Sequence, residues 1–252
     1  MDRFPEEFED LLNARGRKFI ANPVPVEALR ARGRTPIALI ENFIDKGVAR
    51  ESIRLLDAAI YPALRRMHSP IPREALTRMR KNYEEKLPKT VRVKTMTMNS
   101  PGTKSLAISR EIGLAQMMGS KSFKRFAEGL VGAPLTDENH GRQVICYGAG
   151  DYSGPHNDHH PEQPEAKNGF IDLHVMFSNE AVASQWLVYE ERGYLSSGHD
   201  VSGTCGIAVY RLPFWHYTTP LVARRGREKE ARRWLLLGSF DYETPLPKLV
   251  YR

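Results

Sequence analysis

A chain of 252 residues with 41% hydrophobic side chains is long enough to bury one core, so we expect a single domain over 1–252. Apolar runs stay well short of the roughly 20 residues that span a bilayer, and the start, MDRFPEEFEDLL, is acidic. We therefore expect a cytoplasmic protein with no membrane partner. Two cysteines, Cys146 and Cys205, are too few for a disulfide framework and are expected to be small buried hydrophobes. The net charge of +7 admits an anionic substrate or a nucleic acid, but 37 basic residues mixed with 30 acidic ones favour an ordinary solvated surface.

The first third is predicted to be a helical layer, bounded at 1–90. Thr35 and Pro36 precede IALIENFIDKG in the pattern of a helix N-cap followed by proline, and Gly47 is the expected end of that helix. Apolar residues then recur at helical spacings of three and four. They are Ile53, Leu56, Ile60 and Leu64, followed by Leu76, Met79 and Tyr83.

From Val91 onward the sequence favours strands. VRVKTMTM alternates strictly and is rich in β-branched residues. Helices return at 107–118 and 120–130, the second with Ser120 as its cap. Short strand-like runs follow, separated by Gly, Pro, Asn and Asp: RQVICYG, FIDLHVMFS, SQWLVYEE, GIAVYRL and RRWLLLGSF. We therefore predict an α+β fold in which 91–252 form an antiparallel β-barrel or jelly roll on the helical layer.

The most informative segment is YGAGDYSGPHND, residues 147–158, which places an imidazole and a carboxylate two residues apart just after a turn. In an extended segment such residues point to the same side, so His156 and Asp158 can bind one ion. A third candidate, His216, follows the strand GIAVYRL and the turn-like PFW. Two histidines and one carboxylate on one face of an octahedral ion leave three positions open, which is the pattern of non-haem Fe(II) oxygenases. We predict that these three residues bind iron.

With this pattern the sequence resembles the 2-oxoglutarate/Fe(II)-dependent dioxygenase superfamily, in which His-x-Asp, a long gap, a second His and then an Arg lie on a double-stranded β-helix. The resemblance covers 120–242 and is greatest to the prolyl-4-hydroxylase-like branch. In that branch a tyrosine, a glycine and an aromatic residue precede the His-x-Asp, as Tyr147, Gly150 and Tyr152 do here. The stretch from His216 to Pro220 is similar to the His-x-x-x-Pro of the same branch.

In that superfamily an arginine on the strand after the distal histidine binds the far carboxylate of 2-oxoglutarate through two parallel charged hydrogen bonds. The matching strand is RRWLLLGSF, and because adjacent strand residues face opposite sides, one of its two arginines points inward. We predict Arg232, because the superfamily's arginine typically opens this strand. Arg233 is the second candidate and Arg227, in the basic loop ARRGREKEA, is the third. The resemblance also implies a contact from the Tyr147 hydroxyl to the co-substrate, with a packed core aromatic as the equal alternative.

Other residues admit both a functional and a structural interpretation. His159 and His160 lie in a polar segment with two prolines, which we predict to be a lid at 159–168 rather than part of the iron site. His174 either lines the pocket or is a hydrogen-bonded core histidine, and we favour the core. The tryptophans are assigned to the core as well: Trp186, Trp215 and Trp234.

The resemblance implies an enzyme that uses Fe(II), 2-oxoglutarate and O2, with ascorbate as a stimulant. It would hydroxylate an unactivated C–H bond of a small-molecule or amino-acid-like substrate and release succinate and CO2; desaturation, demethylation and cyclisation are alternative outcomes. Two rival hypotheses remain. A cupin-like metalloenzyme that does not use 2-oxoglutarate would need no arginine after His216. A basic nucleic-acid-binding module would use the arginines of 224–233 and bind with a steep salt dependence.

Overall fold

Strands outnumber helices among the residues that the structure describes. The computed structural model describes residues 1–26, 29, 37–71, 89–136, 141–158, 170–191 and 194–244. The strands are β1 Ile37–Ile40, β2 Arg65–Pro70, β3 Thr90–Thr97, β4 Gly141–Tyr147, β5 Tyr152–His156, β6 Phe170–Ser178, β7 Val182–Ser184, β8 Trp186–Glu191, β9 Tyr194–Asp200, β10 Cys205–Leu212, β11 His216–Thr218, β12 Val222–Ala223 and β13 Arg233–Asp241.

Helices lie mainly in the first half. They are α1 Ala14–Ala21, α2 Lys46–Leu55, α3 Lys104–Glu111, α4 Leu114–Met118 and α5 Lys121–Val131, with 3₁₀ turns at Phe8–Leu11 and Tyr61–Ala63 and a π turn at Leu56–Ile60. None of the helices that the structure describes is both long and apolar enough to cross a bilayer.

The sheet curls over on itself to form two facing layers. Its strand order is β1-β10-β6-β13-β4-β3-β5-β11-β8-β9, with β2 added beside β3, and all these pairs are antiparallel. The two layers meet at β3, which pairs with β4 through 94–97 and with β5 through Val91 and Arg92. Strands β7 and β12 form a separate small ladder. The predicted α+β jelly roll is confirmed.

Both faces of the larger layer are buried, but against different partners. All nine residues of β6 are buried. Those on its outer face, among them Leu173 and Val175, belong to the same core cluster as the phenylalanines of α5. Its inner face, with Asp172 and His174, lines the space between the layers. Alternation along each strand therefore separates a helix-packing face from a cavity face.

Helix α5 packs against the outer face as its sequence predicts. The Ser120 side chain accepts a hydrogen bond from the Phe123 N–H, and Gly132 ends the helix at a φ of 65°. The ring of Phe123 lies 5.1 Å from that of Phe8 and 5.8 Å from that of Phe240 on β13. A Cβ at Gly238 would lie 2.5 Å from Cε1 of Phe123, so this helix approaches the strand only because residue 238 is glycine.

The prediction of a helix that ends at Gly47 is wrong. Residues 37–40 form β1, which pairs with β10, and the Asp45 side chain accepts hydrogen bonds from the Gly47 and Val48 amides. Asp45 is therefore an N-cap, and Gly47 lies at the beginning of α2 rather than at its end. An apolar run of four residues fits a strand as well as a helix, and pairing with β10 decides between them.

The rest of the N-terminal prediction has a mixed outcome. Ile53, Leu56 and Ile60 lie on α2 and the π turn, all buried as predicted. Strands β1 and β2 also belong to 1–90, so this stretch contributes to the sheet as well as to the helices. Thr35, Pro36, Leu76, Met79 and Tyr83 lie outside the described residues.

Candidate metal centre and co-substrate pocket

A cavity of about 620 Å³ lies between the two layers of the sheet. Its walls are largely apolar, with side chains such as Val93, Ile145, Leu187 and Leu235. Polar groups converge on it from both layers. This combination of apolar walls with a few converging polar groups is typical of a small-molecule site.

Two of the predicted metal ligands come from paired strands of the smaller layer. His156 ends β5 and His216 begins β11, and the two are direct partners in the antiparallel register. Their rings consequently lie 4.4 Å apart between centroids. Residues directly opposite in an antiparallel pair project from the same face, so both imidazoles enter the cavity.

Asp158 reaches the same point through a bend in the backbone. It follows His156 by two residues and has a φ of 50°, in the left-handed region that few residue types adopt readily. Its carboxylate oxygens lie 3.4 Å from Nε2 of His156 and 3.4 Å from Nε2 of His216. The three ligand atoms lie within 4.8 Å of one another, and the two 3.4 Å separations are near the spacing of about 3 Å for adjacent ligands bonded at about 2.1 Å.

The hydrogen bonds of both histidines favour metal binding. Nδ1 of His156 lies 2.6 Å from the Gly154 carbonyl, and Nδ1 of His216 lies 3.0 Å from that of Phe214. A carbonyl only accepts, so each Nδ1 carries the proton and each Nε2 keeps its lone pair for a metal. Burial, and then the neighbouring His156, lower the pKa of His216 to about 4, so its imidazole is neutral near pH 7. The donor set therefore fits a divalent metal such as Fe(II).

Arg233, and not Arg232, points into the cavity. Arg233 opens β13 opposite Tyr147 of β4 and is only 2% exposed. Its guanidinium donates to the Val201 carbonyl at 3.0 Å, to Gln185 Oε1 at 3.1 Å and to Met176 Sδ at 3.2 Å. These three bonds involve all three guanidinium nitrogens, and a further side-chain hydrogen bond joins Arg233 to Tyr147.

No carboxylate of the described residues lies within 4.0 Å of the Arg233 guanidinium. Burial lowers its pKa, because the cavity disfavours a cation without a counter-ion, and the nearby Tyr147 and Tyr210 act in the opposite direction. An unpaired buried charge is costly. The arrangement fits an anionic ligand that pairs with this guanidinium.

The prediction that Arg232 points inward and Arg233 outward is therefore wrong, because the two side chains face the opposite way. Arg232 lies on the outer face, with Nε 3.6 Å from the Asp57 carboxylate and its guanidinium 4.1 Å from the Tyr61 ring centroid. Every residue of β13 from Arg233 to Leu236 is buried, so hydropathy did not reveal which face looks inward. Arg227, the third candidate, forms an exposed ion pair with Glu230 and lies outside the cavity.

Tyr147 lines the cavity beneath Arg233. Its ring centroid lies 5.1 Å from the guanidinium carbon, and burial raises the pKa of its hydroxyl, with Arg233 opposing. The side chain is thus a neutral phenol at the arginine end of the cavity.

His174 lines the cavity, where the sequence favoured a hydrogen-bonded core residue. Its Nε2 is buried and has no hydrogen-bond partner among the described residues. Its neighbour on the inner face, Asp172, escaped notice in the sequence, where the charge interrupts the apolar run FIDLHVMFS. An aspartate inside an otherwise apolar strand was the sequence feature that could have indicated a polar group in the cavity.

The remaining expectations divide between core and surface. Trp215 and Trp234 are buried, whereas Trp186 is 47% exposed and does not belong to the core. Cys146 is buried and Cys205 half-buried, and neither forms a disulfide. His159, His160 and the predicted lid at 159–168 lie outside the described residues.

Comparisons with known proteins support the fold. No family model matches the sequence, and no curated protein does either. A 2OG-Fe(II) oxygenase family oxidoreductase from Burkholderia pseudomallei superposes with a TM-score of 0.52 at 13% identity, covering 94% of each chain. SnoK, a non-haem alpha-ketoglutarate-dependent carbocyclase from nogalamycin biosynthesis, gives 0.52 at 11% identity, covering 92% of this chain and 96% of that one. A Pseudomonas putida prolyl-4-hydroxylase gives a TM-score of 0.42 at 9% identity, covering 94% of this chain and 99% of that one. The chain has the jelly-roll fold of the 2-oxoglutarate/Fe(II) oxygenases.

Proposed function

We propose that the protein is an Fe(II)- and 2-oxoglutarate-dependent dioxygenase that hydroxylates a C–H bond of a small-molecule or amino-acid-like substrate. The observation that carries this proposal is the cavity itself. One apolar space contains both a metal-competent His156, Asp158 and His216 cluster and the buried Arg233, which has no carboxylate of the described residues within 4.0 Å. A dicarboxylate that chelates a metal at one end needs this pair of sites.

Each residue has a defined role under this proposal. The two imidazoles and the Asp158 carboxylate would hold the metal, and three protein ligands would leave positions available for co-substrate and O2. The backbone carbonyls of Gly154 and Phe214 hold the two rings in the tautomer that binds metal. Arg233 would pair with the distal carboxylate of 2-oxoglutarate through its guanidinium. Tyr147 donates its hydroxyl to the same carboxylate.

When bound, Fe(II) and 2-oxoglutarate supply the oxidising chemistry. One oxygen atom of O2 would enter the succinate that forms as 2-oxoglutarate loses CO2. The other oxygen atom would be inserted into the C–H bond of the substrate to give the alcohol. The protein's own contribution is to position both partners and to keep water out, and the apolar walls around Val93, Ile145 and Leu235 serve this purpose. Because SnoK is a carbocyclase, ring closure in place of hydroxylation is a second outcome that this fold supports.

A cupin-like enzyme without 2-oxoglutarate would share the metal ligands but has no use for Arg233. A buried cation in a metal-containing cavity needs an anion, and a co-substrate carboxylate supplies it. Arg233 therefore favours the 2-oxoglutarate hypothesis.

The nucleic-acid hypothesis loses support from the same segment. Arg227 pairs with Glu230, Arg232 lies against Asp57 and Tyr61, and Arg233 is buried. Three of the arginines proposed to contact phosphates are thus engaged within the protein.

Succinate formation tests the proposal. Purified protein with Fe(II), ascorbate, O2 and 2-oxoglutarate is expected to release succinate slowly by itself and faster when a library of amino acids, peptides and small apolar amines contains the substrate. The matched control is the His216→Ala protein under the same conditions. Equal succinate formation by both proteins would remove the metal centre from the reaction.

A further inference from the structure

The cavity contains a second polar pair that iron and 2-oxoglutarate do not explain. Asp172 and His174 project from the inner face of β6 and are only 6% and 7% exposed. Asp172 Oδ1 accepts a hydrogen bond from Ser239 Oγ at 2.5 Å. The other oxygen, Oδ2, lies 3.8 Å from His174 Nε2, which is too far for a hydrogen bond.

This pair lies away from the arginine end of the cavity. Across the ladder between β6 and β13, His174 stands opposite Leu237 and Asp172 opposite Ser239, whereas Arg233 stands opposite Ser178. Four residues along a strand span about 13 Å. This is the spacing from Ser178 to His174, and Asp172 lies two residues further, about 20 Å along the strand. The five-carbon chain of 2-oxoglutarate is shorter than this, so we expect a co-substrate held by Arg233 not to reach Asp172.

The pair is nevertheless close to the candidate metal centre. The His174 ring lies 4.2 Å from that of Tyr210, which in turn lies 5.4 Å from that of His216. A molecule that contacts Asp172 and His174 therefore extends along the cavity past the metal ligands. Under the proposed function, this is where the primary substrate would lie.

The electrostatics of the pair predict the charge of that molecule. Among the described residues, no lysine or arginine lies within 4.0 Å of the Asp172 carboxylate. His174 Nε2 is buried without a hydrogen-bond partner among the same residues. The cavity wall includes the apolar side chains of Ile71, Leu235 and Leu237, with Gln143 opposite Leu237. A carboxylate in such a wall is stabilised by a cationic donor, because its burial is otherwise costly.

We propose that Asp172 and His174 form a subsite for a protonated amine of the primary substrate. An ammonium group has several N–H donors, so one group placed between the two side chains can donate to Asp172 Oδ2 and to His174 Nε2 at once. The rest of the substrate lies against the apolar wall, with a carbon atom next to the metal face. The assignment of this molecule as the substrate rests on the proposed function, whereas the amine preference of the cavity does not.

Three probes that share a phenylethyl group test the charge preference directly. 2-Phenylethylamine is cationic, 2-phenylethanol is neutral, and N-acetyl-2-phenylethylamine keeps the nitrogen without the charge. Calorimetric titration into wild-type protein is expected to show that the amine binds about 30-fold more tightly than either neutral probe, as for a buried charge pair. Asp172→Asn keeps the acceptor for Ser239 but loses the charge, so it is expected to bind all three alike.

Glu180→Gln is the matched control, because it removes one negative charge from an exposed position outside the cavity. It is expected to retain the amine preference. His174→Gln, expected to weaken amine binding by a smaller factor, provides a second test if Asp172→Asn fails to fold. Three results would each overturn the proposal: equal wild-type affinities for the three probes, no measurable amine binding, or an amine preference that persists in Asp172→Asn. Equal affinities would indicate that a water molecule bridges Asp172 and His174.

Fe(II) and 2-oxoglutarate binding, followed anaerobically in the same proteins, separates this inference from the proposed function. An amine preference without co-substrate binding would support the subsite and contradict the dioxygenase. Co-substrate binding without an amine preference would support the dioxygenase and contradict the subsite.

Discussion

The two arginines that begin the last strand are neighbours in sequence and differ in almost everything else. Arg232 lies on the outer face of the sheet, stacked on Tyr61 with the Asp57 carboxylate beside it. Arg233 lies on the inner face, where it is held by neutral acceptors and no carboxylate of the described chain is within 4.0 Å. The two neighbours therefore differ in exposure and in partners, and only Arg233 lines the cavity.

The comparison extends to the whole sheet. Outer-face side chains pack against helices, and we expect their loss to reduce stability. Inner-face side chains surround the cavity, and we expect their loss to reduce binding or turnover while the fold persists. Variants on the two faces should therefore separate these two effects.

The largest effect is expected for His216→Ala on the inner face. Loss of one of three metal ligands should weaken Fe(II) binding by more than about 100-fold, since even loss of a group that only supports a ligand costs 10–100-fold. Metal content after gel filtration and succinate formation measure this. His68→Ala, an exposed histidine on β2, should retain full iron content. A His216→Ala protein that keeps its iron would remove this residue from the centre.

Phe123→Ala tests the outer face. The ring is fully buried between Phe8 and Phe240, and its removal should lower the free energy of unfolding by about 3–5 kcal/mol. Urea denaturation measures the change. The folded fraction should bind 2-oxoglutarate with unchanged affinity. A large change in that affinity would show that the two faces are coupled.

Arg233→Ala should weaken 2-oxoglutarate binding by about 30-fold or more, because a bidentate charged pair in a dry site contributes on the order of 2–5 kcal/mol. Arg232→Ala is the matched control and should change this affinity little. Calorimetric titration of both proteins compares them. If Arg232→Ala weakened binding and Arg233→Ala did not, the original prediction from the sequence, that Arg232 binds 2-oxoglutarate, would be restored.

The smallest effect concerns Arg232 itself. Burial raises the pKa of Asp57, and Arg232 opposes this shift, so the arginine partly stabilises the Asp57 carboxylate. A raised folded pKa means that this carboxyl contributes stability when protonated and loses it as the pH rises through that pKa. Arg232→Ala should therefore cost about 1 kcal/mol near pH 7 and less near pH 4. A loss independent of pH would indicate that stacking on Tyr61, and not charge, accounts for it.

Local patterns predicted much of this molecule. The candidate ligands His156 and Asp158 follow from a spacing of two residues, and α5 from its cap and apolar face. Features that depend on which strands pair with each other could not be predicted from local sequence patterns. The four apolar residues of β1 become a strand only because β10 lies beside them.

The orientation of the arginines shows the same limit. Both faces of β13 are buried, so alternation of hydropathy is lost, and only the register with Tyr147 places Arg233 inside. His174 and Asp172 likewise lie in an apolar run that looked like core. Their role depends on the cavity between two layers that are distant in sequence.

Anaerobic titration of 2-oxoglutarate into the protein, with and without Fe(II), tests the central claim most directly. One molecule should bind per chain, its affinity should rise when Fe(II) is present, and it should fall in Arg233→Ala but not in Arg232→Ala. Binding that is absent, or that is indifferent to both the metal and Arg233, would contradict the assignment of this cavity to a metal and 2-oxoglutarate.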